Sequence, residues 1–251
     1  MTASTHARRR ELGRCVRSYR ELVTPGAVGL PVGDRRRTPG LRREEVAALA
    51  GVGISWYTWL EQGRVAASEQ VVDAVGRVLG IDDVGRGHLR ALAHPPTLLP
   101  TVPPSTPLGG PDGLRPLLAS WSSHPAVLLD ARLDVVAGNE AWADAFGPGT
   151  GRSVLAALLD RPDAADLLTA IARRLRMVGN LLPDDERIAR VRDRARAAAP
   201  ALTPLWECRA VGAFGRPRVC LGGVERDAYL LGEAGAPDVV EASVLVLLPA
   251  P

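Results

Sequence analysis

Arginine is the residue type through which this sequence can do most of its chemistry. All 31 basic residues are Arg, and 11 of them fall in residues 1 to 43 against three acids, a net charge of +8. Residues 1 to 93 are net +5 as a whole, whereas residues 94 to 251 are net −2. A guanidinium grips a phosphate through parallel hydrogen bonds and keeps its charge at any physiological pH. The first part of the chain is therefore expected to face a polyanion, with a merely solvated basic surface as the alternative.

Catalytic groups do not gather in the same way. His6, His88, His94 and His124 are scattered, and no nucleophile elbow, Walker loop or zinc-ligand spacing accompanies them. Cys15, Cys208 and Cys220 are odd in number and form no CxxC pair. No enzyme, cofactor or metal site is expected, and a reducing cytoplasm fits the cysteine usage. No apolar run approaches the roughly 18 residues that a membrane helix needs, so no membrane association is expected.

The elements that must position the arginines can be read from periodicity. Leu12, Val16, Tyr19 and Val23 recur at helical spacing, which predicts a first helix over about 7–23, ended by Pro25 and Gly26. After a loop holding Arg35, Arg36 and Arg37, a second helix begins with Glu44 and Glu45 in its first turn and Val46, Leu49 and Ala50 as its apolar face. Gly51 supplies the sharp turn, and a third helix follows with Tyr57 and Leu60 inward. Ser68 caps a fourth helix striped by Val71, Val72, Val75, Val78 and Leu79, and a fifth runs over about 82–92. Five helices with a tight turn between the second and third imply a helix-turn-helix bundle.

From Pro95 to Pro111 the chain holds seven prolines in 17 residues, which favours an extended, semi-rigid linker. The expected organisation is an all-α domain over 1–93, a linker over 94–111 and an α+β domain over 112–251. In the last, Leu114, Leu117, Leu118 and Trp121 suggest a leading helix, and PAVLLDARLDVVAGNEAWADAFG reads as strand, turn, strand and a helix begun near Asn139. Helices over about 164–178 and 184–199 follow, then strands at 218–221, 228–231 and 243–248, giving a sheet with helices on one face.

The stretch GDRRRTPGLRREEVAALAGVGISWYTWLEQGR, from Gly33 to Arg64, resembles the XRE-type helix-turn-helix of the MmyB-like regulators. The hairpin-then-helix after Pro125 and the segment around Trp206 resemble the PAS-like ligand-binding domain that those regulators carry. The resemblance implies phosphate contacts for Arg42 and Arg43, with Arg43 also near a base. It implies base-facing positions for Ile54, Ser55 and Trp59, Trp56 near the backbone, and structural roles for Glu61 and Gly63. Arg64 and the triplet Arg35, Arg36 and Arg37 complete the expected DNA-binding set, the triplet as a minor-groove arm. Bundle core is the alternative for Trp56 and Trp59, and a disordered solvated loop for the triplet. Hydrogen-bond readout is sparse, so specificity is expected to lean on apolar contacts, on Arg43 and on DNA shape.

Two departures from the family pattern matter. Gly53 stands where a Ser or Thr is common at the head of the third helix, removing a capping hydroxyl. Leu133 and Gly138 replace aromatics in the second domain, reducing aromatic lining.

The resemblance implies a regulator: a homodimer on a pseudo-palindromic duplex DNA operator, with recognition helices about 34 Å apart. It also implies a small apolar or lipid-like ligand in the second domain. Trp121, Leu128, Val136, Trp142, Phe146, Leu175 and Trp206 are the candidate lining residues, with plain core as the alternative for each. Arg173, Arg174 and Arg176 are either contacts to an acidic head or a solvated face. The rival reading is a second domain that serves only dimerisation or partner docking.

Overall fold

A computed structural model describes residues 3–31, 38–94, 110–207, 214–231 and 242–251. The triplet Arg35, Arg36 and Arg37, Cys208 and nearly all of the Pro-rich segment lie outside the described residues. The chain divides into two compact units.

The first unit is all helical. Helix α1 (Ala3–Leu22) starts earlier than its apolar stripe, since its first turn is polar, and places Leu12, Cys15 and Val16 in the core. After a 3-10 turn at Pro25–Val28 come α2 (Arg43–Leu49), α3 (Ile54–Glu61), α4 (Glu69–Val78) and α5 (Asp83–Ala93). Each start has a local cause. The Arg42 N–H donates to Glu45 Oε2 at 2.6 Å, the Val71 N–H to Ser68 Oγ at 3.4 Å, and the Gly85 N–H to Asp82 Oδ1 at 2.7 Å. Helix α3 begins at Gly53 without a side-chain cap, as the glycine there requires.

The buried face of α2 keeps Val46 and, packed against the core, Ala50 as expected, but not Leu49. Val46 and Ala47 are buried, whereas Leu49 is exposed. Positions i, i+1 and i+4 satisfy a 3.6-residue period as well as i, i+3 and i+4, so the neighbours decide. Leu41, just before the helix, is fully buried and supplies the leucine that Leu49 would have supplied.

Two glycines set the packing of α3. Gly51 has φ +69° in the turn before it, a conformation that costs an L-residue with a Cβ but not glycine. Gly13 on α1 lies so close to the end of α3 that a Cβ there would sit 2.4 Å from the Glu61 carbonyl oxygen. Only glycine permits that approach. Tyr57 and Leu60 of α3, Val72, Val75 and Leu79 on and after α4, and Leu89 and Leu92 of α5 close the core.

The second unit is α+β. Helix α6 (Gly110–Ser120) leads to β1 (Ala126–Asp130) and β2 (Val135–Gly138), then to helices α7 (Glu140–Phe146), α8 (Val154–Leu158), α9 (Ala165–Leu181), α10 (Glu186–Ala198) and α11 (Thr203–Glu207). Strands β3 (Arg218–Leu221), β4 (Val224–Leu231) and β5 (Ala242–Pro249) complete an antiparallel sheet in the order β2-β1-β5-β4-β3. The short α8 and the 3-10 turns carry too few residues to show a period, and sequence periodicity does not reveal them.

The sheet is covered on both faces, not on one. Ala126 to Leu129 of β1 and Val244 to Leu247 of β5 are all buried, and successive side chains of a strand point to opposite sides. One side packs Ala126, Leu128, Ala137, Val244 and Val246 against Leu118 and Trp121. A run of consecutive apolar residues, without alternation, is what a strand sandwiched between layers needs.

Asn139 fastens this unit together. Its Oδ1 accepts from the N–H groups of Trp142 at 2.9 Å and Ala126 at 3.0 Å, capping α7 and closing the end of β1. Its Nδ2 donates to the carbonyls of Trp121 and His124, both at 2.8 Å. In the β1–β2 turn, Asp130 Oδ1 accepts from the N–H groups of Arg132 and Asp134, both at 2.8 Å, and Leu133 has φ +61°.

Candidate nucleic-acid interface and ligand domain

Helix α3 divides its residues sharply. Tyr57, Leu60 and Glu61 are buried, at i, i+3 and i+4, while Ile54, Ser55 and Trp59 are exposed. Trp56 is half-buried and packs against the core, between its two expected roles. Trp59 and Ile54 are each 46% exposed, and Leu49 of α2 adds 44%. Three large apolar side chains left in solvent by neighbouring helices make a surface that gains from contact.

Glu61 is an acid on a core-facing stripe, and such a charge needs partners. It has two. Arg20 Nε on α1 donates to Glu61 Oε1 at 2.6 Å, and Arg43 Nε at the start of α2 donates to Oε2 at 2.7 Å. Arg20 also donates through Nη1 to the Leu41 carbonyl at 2.9 Å. Burial works against the Arg20 cation, but its bond to Glu61 outweighs it and holds the guanidinium above its ordinary pKa. Burial, reinforced by Glu61, pushes the Tyr57 phenol well up, so it stays neutral. The network ties α1, α2 and α3 into one rigid angle. Arg20 was not among the residues expected at the site; the signal that leads to it is Glu61 itself, a carboxylate four residues after Tyr57 and so on the same buried stripe.

Arg43 therefore has a structural partner that the expectation of a plain phosphate contact did not include. One edge of its guanidinium is committed to Glu61, while its side chain remains 42% exposed. Arg42 is exposed beside Glu44, 3.9 Å away, and Arg64 is exposed just after α3. These groups and the exposed face of α3 occupy consecutive elements of one helix-turn-helix.

In the second unit, Leu128, Trp142, Leu175 and Trp206 are buried, and Trp121, Val136 and Phe146 are half-buried. The rings of Trp142 and Phe146 stack with centroids 4.4 Å apart, and the Arg161 guanidinium lies 4.9 Å from the Phe146 centroid. Gly138 has a packing reason of its own: a Cβ there would lie 2.9 Å from Trp142 Cδ1. Arg176 is buried, whereas Arg173 is exposed, so the arginines of α9 do not form one solvated face. Two clefts of about 260 Å³ each flank this unit. One is walled by Arg115, Leu118, Asn139 and Glu140, the other by α10 and the segment around Ser153; neither is lined by the seven aromatic and apolar candidates.

Among the described residues no helix is long and apolar enough to cross a membrane. The fold and its exposed third helix define a helix-turn-helix DNA-binding protein with a separate α+β domain. Residues 11–89 match the family described as a helix-turn-helix domain, and residues 111–222 match the MmyB-like transcription regulator ligand binding domain. The chain belongs to the helix-turn-helix transcription regulators that carry this MmyB-like domain. No curated protein matches it.

Proposed function

We propose that the protein is a cytoplasmic, homodimeric, sequence-specific regulator that reads a pseudo-palindromic duplex and responds to a small apolar or lipid-like ligand in its second domain. The segment 94–111 links the two. The observation that carries DNA reading is the division of α3: Ile54, Ser55 and Trp59 exposed over a face clamped from behind by Arg20, Glu61 and Arg43. Ile54 and Trp59 cover thymine methyl groups and Ser55 bonds a base edge. Arg42, Arg43 and Arg64 hold phosphates, Trp56 steadies the backbone side, and Arg35, Arg36 and Arg37 reach a minor groove.

The test is selection of bound duplexes from a random pool, repeated with Ser55→Ala and Trp59→Ala. The expected site is two half-sites about 34 Å apart whose preferred bases change in the variants. An unchanged preferred site in both would remove α3 from the groove.

For the ligand, Trp121, Val136 and Phe146, at the half-buried margin of Leu128, Trp142, Leu175 and Trp206, are where an apolar molecule would enter. The packing of those four inside the domain favours a second reading, in which the domain serves dimerisation or partner docking alone. Mass spectrometry of an organic extract of the full-length protein separates the two: a stoichiometric small molecule supports the sensor.

A further inference from the structure

The cleft beside α10 has an unusual wall. Arg187, Arg190 and Arg194 line it from positions i, i+3 and i+7, one face of the helix, and Arg152 lines it from the loop before α8. Like charges three and four residues apart repel on a helix, so this stripe is not there to stabilise α10. Arg187 is partly neutralised, donating to Asp134 and, through Nη2 at 2.7 Å, to the Gly151 carbonyl. Arg190 meets Glu186 at 3.3 Å in full solvent. Neither Arg152 nor Arg194 has a carboxylate partner among the described residues, and no carboxylate lines the cleft.

Two further features point to a ligand and not to a bare basic surface. The floor is apolar, formed by Leu155, Leu159 and Val191. Ser153 also lines the cleft, is 5% exposed, and its hydroxyl has no hydrogen-bond partner among the described residues. A buried hydroxyl left unpaired is costly, and a turn of the Ser153 side chain toward the cleft would let a ligand oxygen satisfy it.

We propose that this cleft binds a small amphiphilic oxyanion: one phosphate or carboxylate group held by Arg152 and Arg194, with a short apolar body on Leu155, Leu159 and Val191. The cleft lies apart from the seven aromatic and apolar candidates, so the inference goes beyond the proposed function and gives this domain a second binding site. A volume of about 260 Å³ lies below the roughly 300–1,000 Å³ of sites for larger organic molecules. The concavity, with its greasy floor, fits a discrete molecule better than the backbone of a duplex.

The experiment is calorimetric titration of the full-length protein with n-butyl phosphate, with pentanoate, and with 1-butanol as the neutral control. Saturable binding of one anion, with none of butanol, is expected; which anion binds distinguishes phosphate from carboxylate. The Arg152→Gln/Arg194→Gln double variant, with unchanged melting temperature, should bind at least about tenfold more weakly, the scale of a lost charge-assisted hydrogen bond. No anion binding, or binding equal in the double variant, overturns the proposal. So does a loss of DNA affinity by the double variant without any probe, which would assign the cleft to phosphodiester backbone. If an anion binds as expected but leaves operator affinity unchanged, the cleft stands as a site separate from the proposed modulation. If a neutral apolar molecule co-purifies while neither anion binds, the modulation reading stands and the cleft falls.

Discussion

Trp59 on α3 and Trp142 on α7 are the same residue on helices of similar length, yet the first stays 46% exposed and the second is fully buried. The surroundings account for the difference. Trp142 is fixed by the Asn139 cap, by the stack with Phe146 and by the missing Cβ of Gly138. Around Trp59 the core face of α3 is already filled by Tyr57 and Leu60, so the indole remains outside. A large aromatic kept in water while its neighbours are buried marks a surface awaiting a partner, whereas one sealed in a domain marks packing.

The strongest test of that contrast is to truncate both. Trp142→Ala should cost about 3–5 kcal/mol of stability in the second domain and leave operator preference unchanged in whatever protein remains folded. Trp59→Ala should shift stability by about 0.5 kcal/mol, the scale of a surface change, while weakening discrimination by about 1–3 kcal/mol at the base pair it covers. Urea unfolding and competition binding read the two quantities separately. Equal stability losses would erase the distinction between the two tryptophans.

A second pair of changes compares how each domain fastens its elements. Glu61→Ala takes from the buried Arg20 cation its 2.6 Å partner, leaving only the longer 3.4 Å contact to the exposed Glu21, and should cost about 3 kcal/mol, read as a lower urea midpoint for the first domain. Asn139→Ala removes the cap of α7 and orphans the buried Ala126 N–H, for about 2–3 kcal/mol in the second domain. If Glu61→Ala is neutral, the ion network is not what holds the angle between α2 and α3.

Smaller is the loss expected for Arg42→Ala, which should weaken binding to all duplexes alike and reduce the salt slope by about 1. Salt titration of operator and random duplex together checks it.

The smallest effect concerns pH. Asp185 caps α10, accepting from the N–H groups of Arg187 at 3.0 Å and Ile188 at 3.1 Å, and pairs with Arg132 at 2.6 Å. Burial opposes its charge, but Arg132 and the two N–H groups prevail and hold its pKa below the ordinary carboxylate value. A depressed folded pKa means stability that is present above the unfolded value of about 3.9 and is lost as pH falls through the lower folded one. Asp185→Asn should therefore flatten the acid limb of the second domain's unfolding below about pH 4 and leave the first domain's unchanged.

Much of this molecule is legible in its residues, because local rules write it locally. The helical spacing of Leu12 and Val16, the caps at Ser68 and Asp82, the turn at Gly51 and the inward Tyr57 and Leu60 require no knowledge of the rest of the chain. The consecutive apolar residues of β1 and β5 likewise announce buried strands, though not that both faces are covered.

Other features depend on partners distant in sequence. That Leu49 of α2 stays outside while Leu41 fills the core depended on the neighbouring helices, and the closeness of α1 to α3 on Gly13. Arg20 meets Glu61 across 41 positions, and Arg187 meets Asp134 across 53. The arginine stripe of α10 can be counted in the sequence, but the wall that turns it into a cleft comes from the segment around Ser153. Periodicity specifies the face of a single element from the geometry of its own backbone. Charge pairing and concavity arise only when separate elements meet, so the tertiary structure alone decided which arginines clamp α3 and which line a cavity.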